Sequence, residues 1–297
     1  MYPESLPDDR IVVHKSISYF KSKEDNVEAF IMKDYSLGMH CQEFYEINIV
    51  LKGSGCHYIN NSKIEVKVGD AFIIPPNLMH GYAGGEGFDV FHLLLSVDFF
   101  NMHISDFARI PSFFTLFDIE PTLRARTQFV PSLSLENDKF DDIRVLIEQI
   151  LQHSSAPDTT NRLLLGYYSV ILIVQLCNIY NENIIIHSKD NNFMNSLSLI
   201  YCNYAEKLTI QRLADEALMS RTAYINKFEE LFGTTPGQFL INRRITVAKE
   251  LLGSTQYSVE KIAELTGFHD ASHLIRFFTR SEEISPAEFR NKSAGGL

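Results

Sequence analysis

Short hydrophobic runs separated by polar turn residues fill the first hundred residues of the chain. Residues 43–51 are mostly β-branched, aromatic or aliphatic, and further runs follow at 57–59, 63–68, 71–74 and 90–95. Glycines and asparagine pairs lie between them. Runs of this length with turn residues between them are typical of strands. The pattern predicts a small β-barrel or sandwich.

From about residue 138 the hydrophobic positions recur with the period of a helix. This spacing predicts helices at 139–153 and 161–181. The most apolar stretch, 163–174, is shorter than the ~20 residues that cross a bilayer, so we expect a buried helix and no membrane association. Polar and turn-forming residues at 187–193 predict a linker. We therefore expect domains at 1–186 and 194–297, the second entirely helical.

Composition and charge leave a nucleic-acid function open. The 297 residues carry 27 Lys and Arg against 37 Asp and Glu, a net charge of −10. The whole excess lies in residues 1–194, because residues 195–297 contain 12 basic and 12 acidic side chains. A neutral domain can bind phosphates if its basic side chains share one face. The four cysteines form no C-x-x-C pair and the N-terminus has no secretory signal, so we expect a cytoplasmic protein with reduced thiols.

The C-terminal hundred residues contain a repeat with a period of 50. Phe228, Pro236 and Phe239 are repeated by Phe278, Pro286 and Phe289. Two short helical patterns with a tight turn precede each set, at Leu218-Met219 and at Gly267-Phe268. Between the copies, residues 236–252 predict one amphipathic helix that sets their spacing.

The second helix of each pair is predicted to have an apolar and a polar face. Tyr224 and Phe228, and Leu274 and Phe278, are spaced i, i+4 and are expected to face inward. A helix-turn-helix inserts the opposite face into the major groove of DNA. The residues expected on this DNA-binding face are Arg221, Thr222, Ile225, Asn226, Ala271, Ser272 and Arg276. Arg276 has the donors to read guanine and Asn226 the groups to read adenine. A plain helical bundle with solvated polar faces is the alternative interpretation.

Several ordered motifs resemble the DNA-binding domain of AraC/XylS-family regulators over about 195–292. The matching residues are the R-I-x-x-A-x-x-L-L of 244–252, the I-A-x-x-x-G-F of 262–268, the R-F-F of 276–278 and the S-P-x-x-F-R of 285–290. The resemblance implies seven helices forming two helix-turn-helix units joined by a linker helix. Three residues depart from the family pattern: Glu283 replaces a usual glycine, Lys227 an apolar residue and His273 an aromatic one.

The first half resembles a cupin, the barrel that such regulators commonly use to bind an effector. The resemblance rests on F-Y-E-I at 44–47, G-x-G at 53–55 and G-D-x-x-x-I-P-P at 69–76, followed by His80. Where cupin enzymes have the metal ligands H-x-H-x3,4-E and a later histidine, this chain has His40, Gln42, Glu46 and His80. The second histidine of that pattern is missing.

Strand alternation places residues 40, 42, 46 and 48 on one face, which allows three interpretations. A polar effector pocket, a metal site and a merely solvated face all fit the pattern. We favour the pocket and expect no metal or other cofactor, because a glutamine ligand weakens such a site. The predicted effector-binding residues are His40, Gln42, Glu46, Asn48, Tyr58, His80 and Tyr82.

The helices after the barrel complete the functional hypothesis. In sugar-responsive relatives such helices form the dimer interface, and here the seam is predicted at Leu164, Tyr168, Ile171 and Gln175. We expect a homodimeric activator that binds promoter half-sites in double-stranded DNA, responds to a sugar or related metabolite, and engages RNA polymerase. A cupin metalloenzyme with a helical appendage is the alternative.

Overall fold

The computed structural model describes residues 12–15, 18–20, 25–60, 62–107, 109–110, 112–121, 133–155, 158–187 and 191–294. The chain divides into two compact units, Met1–Ser188 and Lys189–Leu297. The first is a sheet-rich, cupin-like barrel followed by helices, and the second is helical. The predicted α+β class is confirmed.

In the described part of the first unit, nine strands in two sheets form the barrel. They are β1 (Val12–His14), β2 (Val27–Met32), β3 (Leu37–Gln42), β4 (Tyr45–Lys52), β5 (Ser54–Ile59), β6 (Ser62–Lys67), β7 (Ala71–Ile74), β8 (His80–Ala83) and β9 (Asp89–Leu95). One sheet has the order β1-β3-β8-β5-β6 and the other β2-β9-β4-β7. All described pairs are antiparallel except β1 with β3. Tyr82, Phe72 and Phe88 fill part of the space between the sheets.

The hydrophobic pattern found five of these strands and missed four. The missed strands β1, β2, β3 and β8 are short or interrupted by polar and glycine residues. In β3 and β8 the buried positions include His40, Gln42 and His80, which an apolar pattern does not detect. These two strands line the polar interior of the barrel, so the apolar pattern missed the strands with polar buried positions.

Helices α1 (Val97–Phe107), α2 (Asn137–Ser154) and α3 (Thr159–His187) follow the barrel, with a π-helical turn at Thr115–Ile119. α1 was not predicted. α3 is longer than expected, and Thr159–Glu182 has the length and mean hydropathy of a membrane-spanning helix. The helix is therefore longer than the apolar stretch 163–174 on which the length argument rested. Leu172 and Leu176 of α3 are fully buried and the helix packs along α2, which is the environment of a core helix.

Seven helices make up the described part of the second unit. They are α4 (Asn191–Cys202), α5 (Ile210–Glu216), α6 (Arg221–Phe232), α7 (Pro236–Ser254), α8 (Val259–Leu265), α9 (Ala271–Glu282) and α10 (Pro286–Ala294). α7 packs against α4 and α6 on one side and against α8, α9 and α10 on the other. This is the position expected of the linker helix.

The predicted interdomain linker at 187–193 is shorter in the structure. His187 still belongs to α3, and residues 191–193 already belong to α4. Residues 188–190 lie outside the described part of the chain. The helical period continues through the asparagine-rich segment on both sides, so its composition overstated the length of the linker.

Candidate DNA-binding surface and effector pocket

The two helix pairs of the second unit bury and expose the faces predicted for them. Tyr224 and Phe228 of α6, and Leu274 and Phe278 of α9, are completely buried. On the opposite faces the side chains are exposed or half-buried. Arg221, Thr222, Asn226, Ser272 and Arg276 are exposed, and Ile225 and Ala271 are half-buried. Within this unit, the polar faces are therefore free to meet a ligand as large as DNA.

The 50-residue repeat corresponds to a repeated aromatic contact. The rings of Phe228 and Phe239 lie 5.3 Å apart at an interplanar angle of 76°, and those of Phe278 and Phe289 lie 5.5 Å apart at 79°. Edge-to-face pairs of this kind stabilise a core beyond simple area burial. Each contact joins the second helix of a unit to the helix that follows it.

Both second helices have a fixed start. The Ser220 hydroxyl accepts the backbone N–H of Ala223, and the Asp270 carboxylate accepts that of His273 at 2.7 Å. Such caps satisfy backbone donors that the first turn leaves free. Since a helix-turn-helix presents these first turns to the base edges, the caps hold the candidate reading residues in place.

The Arg244 side chain explains the first residue of the R-I-x-x-A-x-x-L-L motif. Its Nε donates to the Tyr204 carbonyl at 2.7 Å, and its terminal nitrogen donates to the Glu206 carbonyl at 2.9 Å. Both carbonyls lie in the loop between α4 and α5, so Arg244 fastens that loop to α7. Ala248, one turn further along, is fully buried in the cluster that contains Ile262 and Phe278. The motif therefore acts through packing and loop positioning.

The structure shows how each of the three residues that depart from the family pattern is accommodated. Glu283 takes the left-handed conformation expected of the usual glycine, with φ of 60°. Lys227 is half-buried with its Nζ 4.8 Å from the centre of the Phe193 ring, a cation–π contact. The His273 ring lies 4.9 Å from Phe277 and 5.4 Å from Phe268, so it fills the place of an aromatic side chain.

Strand register brings a polar cluster together inside the barrel of the first unit. His40 of β3 lies opposite His80 of β8, and Asn48 of β4 lies opposite His92 of β9. Glu46 is two residues before Asn48 and therefore shares its face. All five residues are buried. The polar side chains thus come from both sheets and meet between them.

Glu46 is the centre of this cluster. One carboxylate oxygen accepts His92 Nδ1 at 2.6 Å, and the other lies 3.4 Å from His80 Nε2. Burial alone would raise the pKa of Glu46, but the interactions with His80 and His92 outweigh it and hold the pKa well below its usual range. Burial lowers the pKa of His40 to about 4. The cluster therefore combines an ionised carboxylate with a neutral His40 ring near pH 7.

A cavity of about 190 Å³ lies beside the cluster. His14, His40, Gln42, Glu46 and His92 contribute polar groups to its wall. The aromatic part of the wall consists of Tyr19, Phe30, Tyr35 and Phe44. Gln42 is 1% exposed, and neither its amide oxygen nor its amide nitrogen has a hydrogen-bond partner. An unpaired buried amide costs free energy unless a partner binds it, which makes Gln42 a candidate ligand-binding residue.

The predicted effector residues separate into three groups in the structure. His40, Gln42 and Glu46 line the cavity, and His80 and Asn48 lie in the buried cluster next to it. Tyr82 is buried, but its ring stacks on that of His57 with the centroids 4.1 Å apart, and its hydroxyl accepts a hydrogen bond from the Asn48 amide. It therefore contacts the cluster and does not line the cavity. Tyr58 is only half-buried, because its strand turns the neighbouring His57 inward. The structure does not bring Tyr58 to the cavity.

Several residues that line the cavity were not predicted from the sequence. His14 lies on the three-residue strand β1, and Tyr35 in the turn after β2. His92 lies within an otherwise apolar run, V-F-H-L-L-L, where a single histidine is easily taken for a core residue. The sequence signal that could have identified His92 is a polar residue within an otherwise apolar strand pattern.

The exposed apolar stripe of α3 is displaced from the predicted dimer seam. Leu163 and Tyr167 are 59% and 63% exposed, and Ile171 is 42% exposed. Gln175 is also exposed, whereas Leu164 and Tyr168 are half-buried. Tyr168 stacks on His153 of α2, so it packs within its own unit. The free stripe therefore runs along 163, 167 and 171.

Comparisons with known proteins agree with this two-part organisation. Residues 31–157 match the family described as the AraC-like ligand binding domain, and residues 213–292 match a helix-turn-helix domain family. The chain is similar to the HTH-type transcriptional activator RhaR of Enterobacter sp. (strain 638), with 21% identity over 86% of this chain and 87% of RhaR. It is also 22% identical to the uncharacterized HTH-type transcriptional regulator YdeC of Bacillus subtilis (strain 168), covering 98% of this chain and 97% of YdeC.

The chain is also similar to a solved structure from Chromobacterium violaceum, a transcriptional regulator with an AraC-type DNA-binding domain. The sequence identity is 26% and the TM-score 0.33, and the match covers 34% of this chain and 91% of the Chromobacterium chain. The two family matches together account for most of the chain, in the order in which the barrel and the double helix-turn-helix occur. The chain belongs to the AraC family of DNA-binding transcription regulators, with a ligand-binding domain followed by a helix-turn-helix domain.

Proposed function

We propose that this regulator is a transcription activator controlled by a small polar effector that binds in the barrel cavity. The observation that carries the proposal is Gln42, a buried amide with no partner, at the wall of a cavity that already contains an ionised carboxylate. An effector hydroxyl would satisfy Gln42 and donate to Glu46. An apolar ligand would leave the Gln42 amide unpaired.

A single sugar ring or a related metabolite fits this cavity best. Its volume of about 190 Å³ is below the ~300–1,000 Å³ typical of pockets for drug-sized ligands. Converging donors and acceptors suit a hydroxyl-rich molecule. The aromatic wall, with Tyr35 and Phe30, offers a flat surface on which the carbon face of a sugar can stack.

DNA reading is assigned to the exposed faces of α6 and α9. In this proposal Arg276 reads guanine and Asn226 reads adenine, each through two hydrogen bonds. The two helices enter successive major grooves, roughly 34 Å apart along the duplex. Arg221, Thr222 and Ser272 lie beside them and contact neighbouring bases or phosphates.

A homodimer would strengthen this binding, since two linked DNA contacts raise each other's effective concentration. The apolar stripe at Leu163, Tyr167 and Ile171 is the surface we assign to the dimer. An activating direction is supported by the resemblance to RhaR, which is named an activator. Activation implies contact with RNA polymerase at the promoter, and hence a cytoplasmic protein.

A thermal-shift screen with sugars and related metabolites tests the effector. A ligand that binds only the native state raises the melting temperature. The hit should shift the intact chain and lose its effect in Gln42→Leu, while the same change at the exposed Gln152, Gln152→Leu, should leave the shift in place. A hit that shifts both variants equally would place the effector elsewhere.

Footprinting of the DNA upstream of its own gene tests the regulatory part. Glu46→Ala should abolish the effector's influence on the footprint while operator affinity in the absence of effector stays the same. A chain that leaves no footprint but turns over a substrate would instead support the alternative hypothesis of a cupin metalloenzyme. The observation that favours this alternative is the grouping of His40, Glu46 and His80.

A further inference from the structure

His269 lies beside the residues of α9 that were predicted to contact DNA. A shallow hollow of about 450 Å³ at the start of α9 is lined by Ser272 and Arg276, which belong to the predicted DNA-binding face, and by His269, Asp270 and His273. We propose that His269 contacts a DNA phosphate and takes up a proton when it does so, which makes DNA binding depend on pH. The proposal rests on the proposed docking of α9 and adds a contact to it.

Asp270 places a negative charge on the surface that DNA approaches. Its Oδ1 accepts the backbone N–H of His273 at 2.7 Å, so the helix cap fixes the carboxylate at the first turn of α9. Hydrogen bonds from the His269 ring and from that N–H hold the pKa of Asp270 below its ordinary value, so the carboxylate is ionised near pH 7. An ionised carboxylate repels phosphate. A neighbouring positive charge is therefore needed where the backbone of DNA passes.

The His269 side chain is placed to provide that charge. Its Nδ1 lies 2.9 Å from Asp270 Oδ2, and 88% of the side chain is exposed. Because a carboxylate only accepts hydrogen bonds, Nδ1 bears a proton and donates it. In the neutral ring Nε2 then has a lone pair and cannot donate to a phosphate oxygen. A second proton, on Nε2, creates the missing donor and makes the ring positive.

The other ionisable groups around the hollow do not provide this change of charge. The His273 ring packs against two phenylalanine rings, and its Nδ1 faces the His269 backbone N–H at 3.5 Å. Burial, followed by the charge of Arg276, lowers the pKa of His273, and Arg244 of α7 acts in the same direction. His273 is therefore neutral near pH 7, and both arginines keep their charge throughout. Among the residues that line the hollow, this leaves His269.

The direction of the pH dependence follows from the proton taken up. The DNA-bound state holds one proton more than the free state, because a phosphate next to the ring favours its charged form. Affinity is therefore highest at low pH and falls as the pH rises through the range in which histidine loses its charge. One linked proton changes affinity by at most about tenfold per pH unit. We expect binding to be about three- to tenfold weaker at pH 8 than at pH 6.

The test measures the fluorescence anisotropy of a labelled duplex that carries the DNA upstream of the gene, with the intact chain at fixed ionic strength. His269→Gln keeps a polar side chain that does not titrate, and it should remove the pH dependence while leaving the affinity at pH 8 near that of the unmodified chain. His273→Phe changes the neighbouring ring to another aromatic one and should keep the pH dependence. Asp270→Asn keeps a helix-capping side chain and removes the repulsion, so it should raise affinity more at pH 8 than at pH 6.

The salt dependence of binding gives a second readout. A protonated His269 at a phosphate adds one neutralised charge, so the slope of log affinity against log salt should be smaller by about 0.9 in His269→Gln at pH 6 and unchanged at pH 8. A duplex of random sequence should show the same difference, because a phosphate contact does not depend on the bases.

The outcomes separate this contact from the docking on which it rests. A pH dependence that persists in His269→Gln, or a loss of affinity that is equal at both pH values, contradicts the proposal. So does an unmodified chain whose binding does not change with pH. If Arg276→Ala binds the upstream duplex normally while His269→Gln still removes the pH dependence, the assignment of base contacts is wrong and the phosphate contact of His269 is supported.

Discussion

The helix ends at Gly233 and Glu283 provide an internal comparison within one domain. α6 ends at Gly233 with φ of 66°, and α9 ends at Glu283 with φ of 60°. In each, the backbone N–H donates to the carbonyl four residues earlier, Glu229 at 2.8 Å and Thr279 at 3.0 Å. The geometry is the same, but only Gly233 is a residue that adopts it without steric cost. We predict that Glu283→Gly stabilises the domain.

The size of the effect follows from two opposing terms. A side chain in the left-handed region costs about 1–2 kcal/mol, because Cβ approaches the backbone carbonyl. Glycine offsets part of this gain, since it loses more backbone entropy on folding, by roughly 0.5–1 kcal/mol. The Glu283 side chain is exposed, so its removal leaves no cavity. The difference between the two terms is about 0–1.5 kcal/mol, with a midpoint near ~0.75 kcal/mol, or about 3–6 °C in melting temperature for a domain of this size.

Urea unfolding of the intact chain measures the change in the free energy of unfolding. Hydrogen exchange of peptides that cover α9 then shows whether that change lies in this helix. Glu283→Gly should slow exchange in α9, and the reciprocal variant Gly233→Glu should speed exchange in α6 by a similar factor. Operator binding should be unaffected by the first variant. If Glu283→Gly leaves exchange unchanged or accelerates it while Gly233→Glu destabilises α6, then the strain assigned to Glu283 does not exist.

Three further outcomes test other parts of the structure. Arg276→Ala should weaken specific operator binding by about 1–3 kcal/mol in a filter-binding or anisotropy assay, and unchanged affinity would refute the assigned docking. Gly267→Ala should lower the free energy of unfolding of the domain by more than about 2 kcal/mol in a urea titration. The reason is that φ is +74° and a Cβ would lie 2.5 Å from the Ala205 oxygen. A smaller loss would mean that the turn relaxes to accept the side chain. Ile171→Lys should convert the proposed dimer to a monomer in light scattering, whereas Val145→Lys, at a more exposed position on α2, should not. If both variants are dimers, the α3 stripe is not the dimer interface.

Local pattern was sufficient for the DNA-binding domain. Helical period and a 50-residue repeat are both properties of the local sequence, and Phe228 and Phe278 are buried as predicted. The family resemblance marked Glu283 as the residue that replaces a usual glycine. Its left-handed conformation was seen only in the structure. Which bases the exposed residues contact stays a prediction.

The barrel interior was decided by tertiary structure. Strand alternation predicted His40, Gln42 and Glu46 on one face of a single strand, and this was wrong, because the chain turns after Gln42 and places β3 and β4 in different sheets. Only register placed His80 opposite His40, brought His92 onto Glu46 and turned His57 inward in place of Tyr58. His40 and His80 lie 40 residues apart in the chain and Glu46 and His92 lie 46 apart, and no local periodicity fixes the alignment of their strands. The sequence therefore determined which side chains could meet, and the pairing of strands determined which of them did.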